Sequence, residues 1–180
     1  MHTLGARWAY QSVLSLLEEA ETRQSHLVWF HLTAFLQHAA MISKFLKPVS
    51  NSANKEVAHG RGTALRDALG VGPDSDVLPR DARDNVEHFD ERMDRWVLDL
   101  NSTILEIVVD DREGFEFLRV ADKNVKRLLI ADELVFISER KDGTKFELCL
   151  TPVYSELERI ALMADQWMRL NSPYKVIHPR

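Results

Sequence analysis

Apolar residues recur at three- and four-residue intervals through the first hundred positions and shift to short, strand-like runs after residue 103. Trp8, Val13, Leu16, Leu17 and Ala20 line one stripe of a helix predicted over residues 6–23, with Glu18, Glu19 and Glu21 mostly off it. Ser25 is the predicted N-cap of a second helix reaching about Phe45, apolar on most sides and therefore central; Pro48 marks its end. Residues 47–62, KPVSNSANKEVAHGRG, carry few apolar side chains and read as a surface loop containing at most a turn of helix. A short helix is predicted at 63–69, stopped by GVGPDSD. The longest amphipathic helix is predicted from Pro79 to Leu100, with Ala82, Val86, Phe89, Met93, Trp96, Val97 and Leu100 facing inward.

The runs TILEIVV, FEFLRV, KRLLIA, ELVFISER and KFELCL are rich in β-branched and aromatic residues, and DDREG, ADKN and KDGT separate them as turns. They predict an antiparallel meander over about 103–150. In its last strand Phe146, Leu148 and Leu150 alternate with Glu147 and Cys149, so one face is expected to be covered. A final helix is predicted from Pro152 to Leu170, with Leu157, Ile160, Ala161, Ala164, Trp167 and Met168 inward. The expected class is α+β: one domain over 1–180, a helical bundle (6–100 and 152–170) with the small antiparallel sheet of 103–150 inserted before the last helix. A separate C-terminal unit from 103 onward is the alternative.

Composition narrows the function. The chain of 180 residues has a formal net charge of −5, without the basic surplus of proteins that grip nucleic acid non-specifically. Any nucleic-acid contact is therefore local, brief or shared between two chains. Cys149 is the only cysteine, which excludes an intrachain disulfide, a Cys-based metal site and a CxxC redox motif. It is expected to be a packed core thiol. The opening MHTLGARWAYQSVL lacks the features of a signal peptide, and the apolar run Leu27–Ile42 is too short and too interrupted for a membrane span. A cytoplasmic protein with no membrane association is expected.

The candidate chemistry lies in RDNVEH, residues 83–88. With Arg83 at 0° on a helical wheel, Glu87 falls at about 40°, Asp84 at about 100° and His88 at about 140°, away from an apolar stripe near 265°. Asp84 and His88 are four apart, so the carboxylate can orient the imidazole; Arg83 brings a permanent cation shaped for phosphate. A proton-exchanging imidazole and a charge-holding guanidinium are what RNA phosphodiester cleavage by the internal 2′-OH requires, and that chemistry uses no metal.

The Arg-x4-His pattern, with a polar residue directly after the arginine, resembles the signature of the HEPN superfamily. The resemblance implies a helical bundle, metal-independent endoribonuclease activity of the kind found in toxin–antitoxin and phage-defence systems, and a homodimer whose signature helices face each other. It implies Arg83 and His88 as the catalytic pair and Asp84 as the supporting residue, with RNA and a cognate antitoxin protein as partners and no cofactor. Arg61 in HGRG is a further candidate phosphate contact and Glu87 a further residue of the RNA-facing surface. No metal site is expected: His26, His31 and His38 are spaced by five and seven along one helix, not as an i,i+4 pair. The competing reading is a solvated face laced with ion pairs, on a non-catalytic interaction module whose charged helix docks a partner protein and whose sheet offers an edge strand.

Overall fold

The computed structural model describes residues 1–19, 21–23, 26–48, 54–79, 81, 84, 87–98, 104–119 and 124–171. Ala6, Ala9, Tyr10, Val13 and Leu17 recur at helical spacing and are the buried stripe of α1 (His2–Glu18). They pack on α2 (His26–Leu46), which buries ten residues, among them Val28, Leu32, Phe35 and Leu46. As its pattern foretold, α2 is the central helix. The stripe of α1 is rotated from the expected one: small Ala6 and Ala9 let the two helices approach, and Trp8, expected inward, is 65% exposed.

Residues 55–62 are helical, contrary to the expected loop, within α3 (Lys55–Leu69). The scarcity of apolar side chains, which suggested a loop, instead reflects a helix that is largely exposed. Gly62 has a packing reason: a Cβ there would lie 2.8 Å from the Leu46 carbonyl oxygen and from Pro48 Cδ, so glycine permits α3 to cross the end of α2. The helix stops where GVGPDSD predicts. Gly70 takes φ +60°, and Val71 N–H bonds back to the Arg66 carbonyl.

The next described helix is α4 (Phe89–Val97), with residues 81, 84 and 87 also helical before it. Ala82, Val86 and Leu100 of the expected inward stripe lie outside the described residues, as do the side chains of Phe89 and Trp96. Of the rest, Met93 is half-buried and Val97 is half-exposed, while Arg92 is only 3% exposed. The buried side of α4 is therefore partly polar. Arg92 donates to the Glu139 carbonyl and Arg95 donates to the Lys141 carbonyl at 2.7 Å, tying α4 to the last hairpin of the sheet.

The sheet comprises β1 (Ile104–Val109), β2 (Val125–Ile130), β3 (Val135–Glu139) and β4 (Lys145–Cys149), in the order β1-β2-β3-β4. β2, β3 and β4 form the expected antiparallel meander. β1 instead pairs with β2 in parallel. The intervening FEFLRV, expected as a strand, contributes to a helix, α5 (Arg112–Phe117), which Asp111 caps by accepting from Gly114 N–H at 2.6 Å. A helical crossover is what a parallel neighbour needs. The final helix α6 (Leu150–Asn171) follows β4 directly, with Pro152 in its first turn.

Val108, Leu129, Phe136 and Phe146 on one face of the sheet join α1, α2 and α6 in a single core, which also takes Leu69, Val71, Val77 and Leu78. On the opposite face Val109, Leu128, Ile130 and Val135 pack with Phe115 of α5. Beside α5 an open cleft of about 470 Å3 has Leu128, Ile130 and Ile137 on its floor. Arg112 at its rim holds Glu133 and Glu147, and their carboxylates, Glu147 first, raise its already high proton affinity. Cys149, expected in the core, is exposed: the alternation that turns Phe146 and Leu148 toward the helices turns Cys149 away. The Trp167 and Met168 side chains, expected inward on α6, are about half exposed, because the buried stripe ends at Ile160. Among the described residues, no helix is long and apolar enough to cross a membrane. The class is α+β, mainly helical, closed by a terminal helix.

Candidate functional site

The candidate face begins at the turn that enters α4. His88 sits in that turn; its N–H reaches the Asp84 carbonyl at 3.2 Å, and its own carbonyl accepts from Arg92 N–H at 3.2 Å. These bonds fix the backbone of His88 between a preceding helical turn and α4 proper. Its imidazole points outward, with the side chain 54% exposed. Nδ1 lies 3.1 Å from Glu91 Oε1, one turn along α4. The sequence assigned the orienting role to Asp84, four residues before. Glu91, three residues after, was missed, although the i,i+3 spacing in HFDE carries that signal.

Asp84 is half-buried and belongs to the charge environment of Arg92. Burial, with Arg95 nearby, makes the Arg92 cation less favourable than usual, and Asp84, Glu139 and Asp81 offset this. Arg92 and Arg95 hold hairpin carbonyls, which commits both guanidiniums to the fold. Arg83, the other half of the expected pair, lies outside the described residues.

Glu87 is anchored on α2: its Oε1 is 2.6 Å from Lys44 Nζ. The next residue of α2, Phe45, is half-exposed and lies under the guanidinium of Arg61, whose carbon is 5.6 Å from the ring centroid. Arg61 is exposed on α3, so the HGRG segment presents it from a helix and not from the expected flexible turn. The last turn of α2 thus links two residues singled out independently, Glu87 and Arg61. Nothing local in the sequence signals Lys44 and Phe45 as that link; it is a product of packing.

Chemically, the turn that enters α4 offers an accessible imidazole steadied by a carboxylate, and the last turn of α2 offers a lysine–glutamate pair and, through Phe45, an exposed arginine stacked on an aromatic ring. A carboxylate on one ring nitrogen favours the tautomer that carries its proton there and leaves the other nitrogen as an acceptor. Among the described residues no group of three or more His, Cys, Asp or Glu side chains is arranged to hold a metal ion. No family model matches the chain, and no curated protein or solved structure matches it.

Proposed function

We propose that this face acts on RNA, as a metal-independent endoribonuclease of the HEPN kind, with two chains placing their copies of the face across a twofold cleft. The observation that carries the reading is the exposed His88 imidazole with Nδ1 held by Glu91. In the proposed reaction Nε2 of His88 takes the proton of the 2′-OH as that oxygen attacks the adjacent phosphorus. Arg83 stabilises the charge that builds on the phosphorane oxygens, with Asp84 in support. The bond to the 5′-oxygen then breaks, and that oxygen leaves with a proton returned by an imidazolium. The products are a 2′,3′-cyclic phosphate and a 5′-hydroxyl. Arg61 and Glu87 flank the strand, Arg61 as a phosphate contact. The net charge of −5 means that a single chain has little long-range pull on RNA, which makes the paired face of a dimer the more effective binder. A cytoplasmic toxin or defence role, restrained by a cognate antitoxin protein, is the setting that fits such an activity.

The test is a single-stranded RNA oligonucleotide and its copy with 2′-deoxyribose at the cleaved position, incubated with chelator. Cleavage of the first, leaving a cyclic phosphate, and survival of the second are expected. Equal cleavage of both would exclude an internal 2′-OH nucleophile.

A second reading has its own observation. The strand order leaves β4 at an edge of the sheet, where an extended segment of a partner protein can add. In that reading the charged helix docks the partner and the chain is not a catalyst. Absence of RNA cleavage, with retention of a partner on the sheet edge, would favour it.

A further inference from the structure

We propose that the solvent-facing side of α2, together with the first turns of α1, is the surface on which a second copy of this chain docks. At 100° per residue Leu27, Phe30, Ala34, Gln37, Met41 and Phe45 fall within an arc of about 80°, opposite the core residues Leu32, Ala39 and Leu46. Ala34 is half-buried and the other five are exposed. Leu4 and Trp8, one turn apart on α1, extend the stripe sideways. Trp8 and Phe30 flank the ring of His31, with centroids 5.4 and 5.2 Å from it, so the patch is continuous across the two helices. Leu4, Trp8 and Phe30 are each more than 60% exposed.

A helix that is apolar on all sides is normally covered on all sides, and α2 leaves this one in water. At roughly 150–250 Å2 for a whole aromatic residue, Trp8, Phe30 and Phe45 expose on the order of 350 Å2, and Leu4, Leu27 and Met41 bring the patch to about 600 Å2. That is the upper end of what a monomer leaves exposed in one patch, and most of the roughly 800 Å2 per partner that a stable dimer buries. Charge selects the occupant. From His26 to Ser43 there is no Asp, Glu, Lys or Arg, and Lys44 is paired with Glu87 at 2.6 Å. A twofold interface sets a patch against itself, so any charge would meet its like; this patch carries none to repel. A charged partner would find no counter-charge on it. A lipid surface is met by helices that flank their apolar side with Lys and Arg, which this stretch lacks. Gln37, the one polar member of the arc, has an amide that both donates and accepts and so can pair with its own copy. The stripe ends at Phe45, under Arg61, so the second chain would adjoin the candidate face.

This goes beyond the proposed RNA chemistry, which calls for two chains but names no surface that joins them. Sedimentation equilibrium of the full chain without RNA tests it. A dimer at micromolar concentration is expected. Phe30→Glu and Met41→Glu, each placing a charge where it meets the partner's apolar patch, should weaken the dimer by roughly tenfold or more and keep the parent's helical circular dichroism. Phe117→Glu, on the exposed side of α5, should leave the dimer unchanged. Should the α2 variants fail to fold, methyl NMR of the parent decides: the Met41 methyl resonance must shift as dilution converts dimer to monomer. A dimer that persists in both α2 variants, or a Met41 methyl that does not move, would mean that the chains join elsewhere and would overturn the proposal while leaving the RNA reading standing. A dimer lost in both variants but inactive on RNA would support this surface and retire the nuclease alone. A parent that stays monomeric at high micromolar concentration would also overturn the proposal, and flotation of that monomer with phosphatidylcholine–phosphatidylserine vesicles would give the face to a lipid surface instead.

Discussion

His88 and Arg92 stand one turn apart, yet the fold uses them in opposite ways. The His88 side chain is exposed and its ring contact is with Glu91. Arg92 is buried, and its guanidinium satisfies the Glu139 carbonyl. Truncating a residue whose loss strands a buried carbonyl costs about 1–3 kcal/mol, whereas an exposed side chain costs close to nothing. Arg92→Ala should therefore lower the melting temperature by several degrees, at about 2–4 °C per kcal/mol for a chain of this size. His88→Ala should melt with the parent. Equal melting of both variants would show that Arg92 is not the clamp between α4 and the hairpin. Glu91→Gln isolates the orienting contact. An amide can still accept from Nδ1, so RNA cleavage should fall less than in Glu91→Ala, and a rate untouched by Glu91→Ala would remove Glu91 from the site. Arg92 also shows where a pattern of charges stops being informative. DERMDR reads as a solvated lattice, and only the tertiary contact with Glu139 separates Arg92 from its neighbours.

Among elements, those whose burial follows their own periodicity were the readable ones. The α2 helix is apolar on most sides and sits at the centre; β2 to β4 alternate or run apolar and form the meander. Misreadings fell where a local cue had a second use. The few apolar side chains of residues 47–62 suggested a loop, but α3 is a largely exposed helix, and Gly62 lets it pack closely on the end of α2. Phe115 and Phe117 alternate like strand residues, but Asp111 caps a helix there, and Phe117 is 84% exposed. The polar contacts that tie the end of α3 and the turn after it to α6 were equally hidden. Glu156 accepts from Ser75 Oγ at 2.6 Å and pairs with Arg159, which also donates to the Leu69 carbonyl at 3.0 Å. Arg159 first, and then Ser75, hold the Glu156 carboxyl below its ordinary proton affinity. A carboxyl made more acidic by folding stabilises the native state above its unfolded pKa and loses that contribution as pH falls through the lower, folded value. Glu156→Gln should therefore be less stable than the parent at neutral pH by about 1–2 kcal/mol, with the gap closing at an acidic pH below the ordinary carboxyl range. Denaturant titrations at both pH values check this; a gap constant with pH would mean that charge is not what Glu156 contributes.

At the scale of the molecule, the helices and one sheet face share a core, and Arg127 marks the joint between them. Its guanidinium lies 4.9 Å from the Trp29 ring centroid of α2 and pairs with Glu106 of β1 at 2.5 Å, while burial makes its charge less favourable than usual. The candidate face was readable in part: His88 is exposed as its wheel position implies, while its Glu91 partner and the links through Lys44 and Phe45 depend on the turn geometry and on packing. A composite site further needs a second chain. Sedimentation should give a dimer at micromolar concentration, with activity per chain falling as dilution releases monomers; a monomer at high micromolar concentration would contradict it. The most direct test of the central claim is total RNA incubated with purified protein in excess EDTA, beside the His88→Ala, Arg83→Ala double variant. Cleavage by the parent that survives EDTA and is lost in the double variant is expected. Cleavage that persists in the double variant, or no cleavage by the parent, would contradict it.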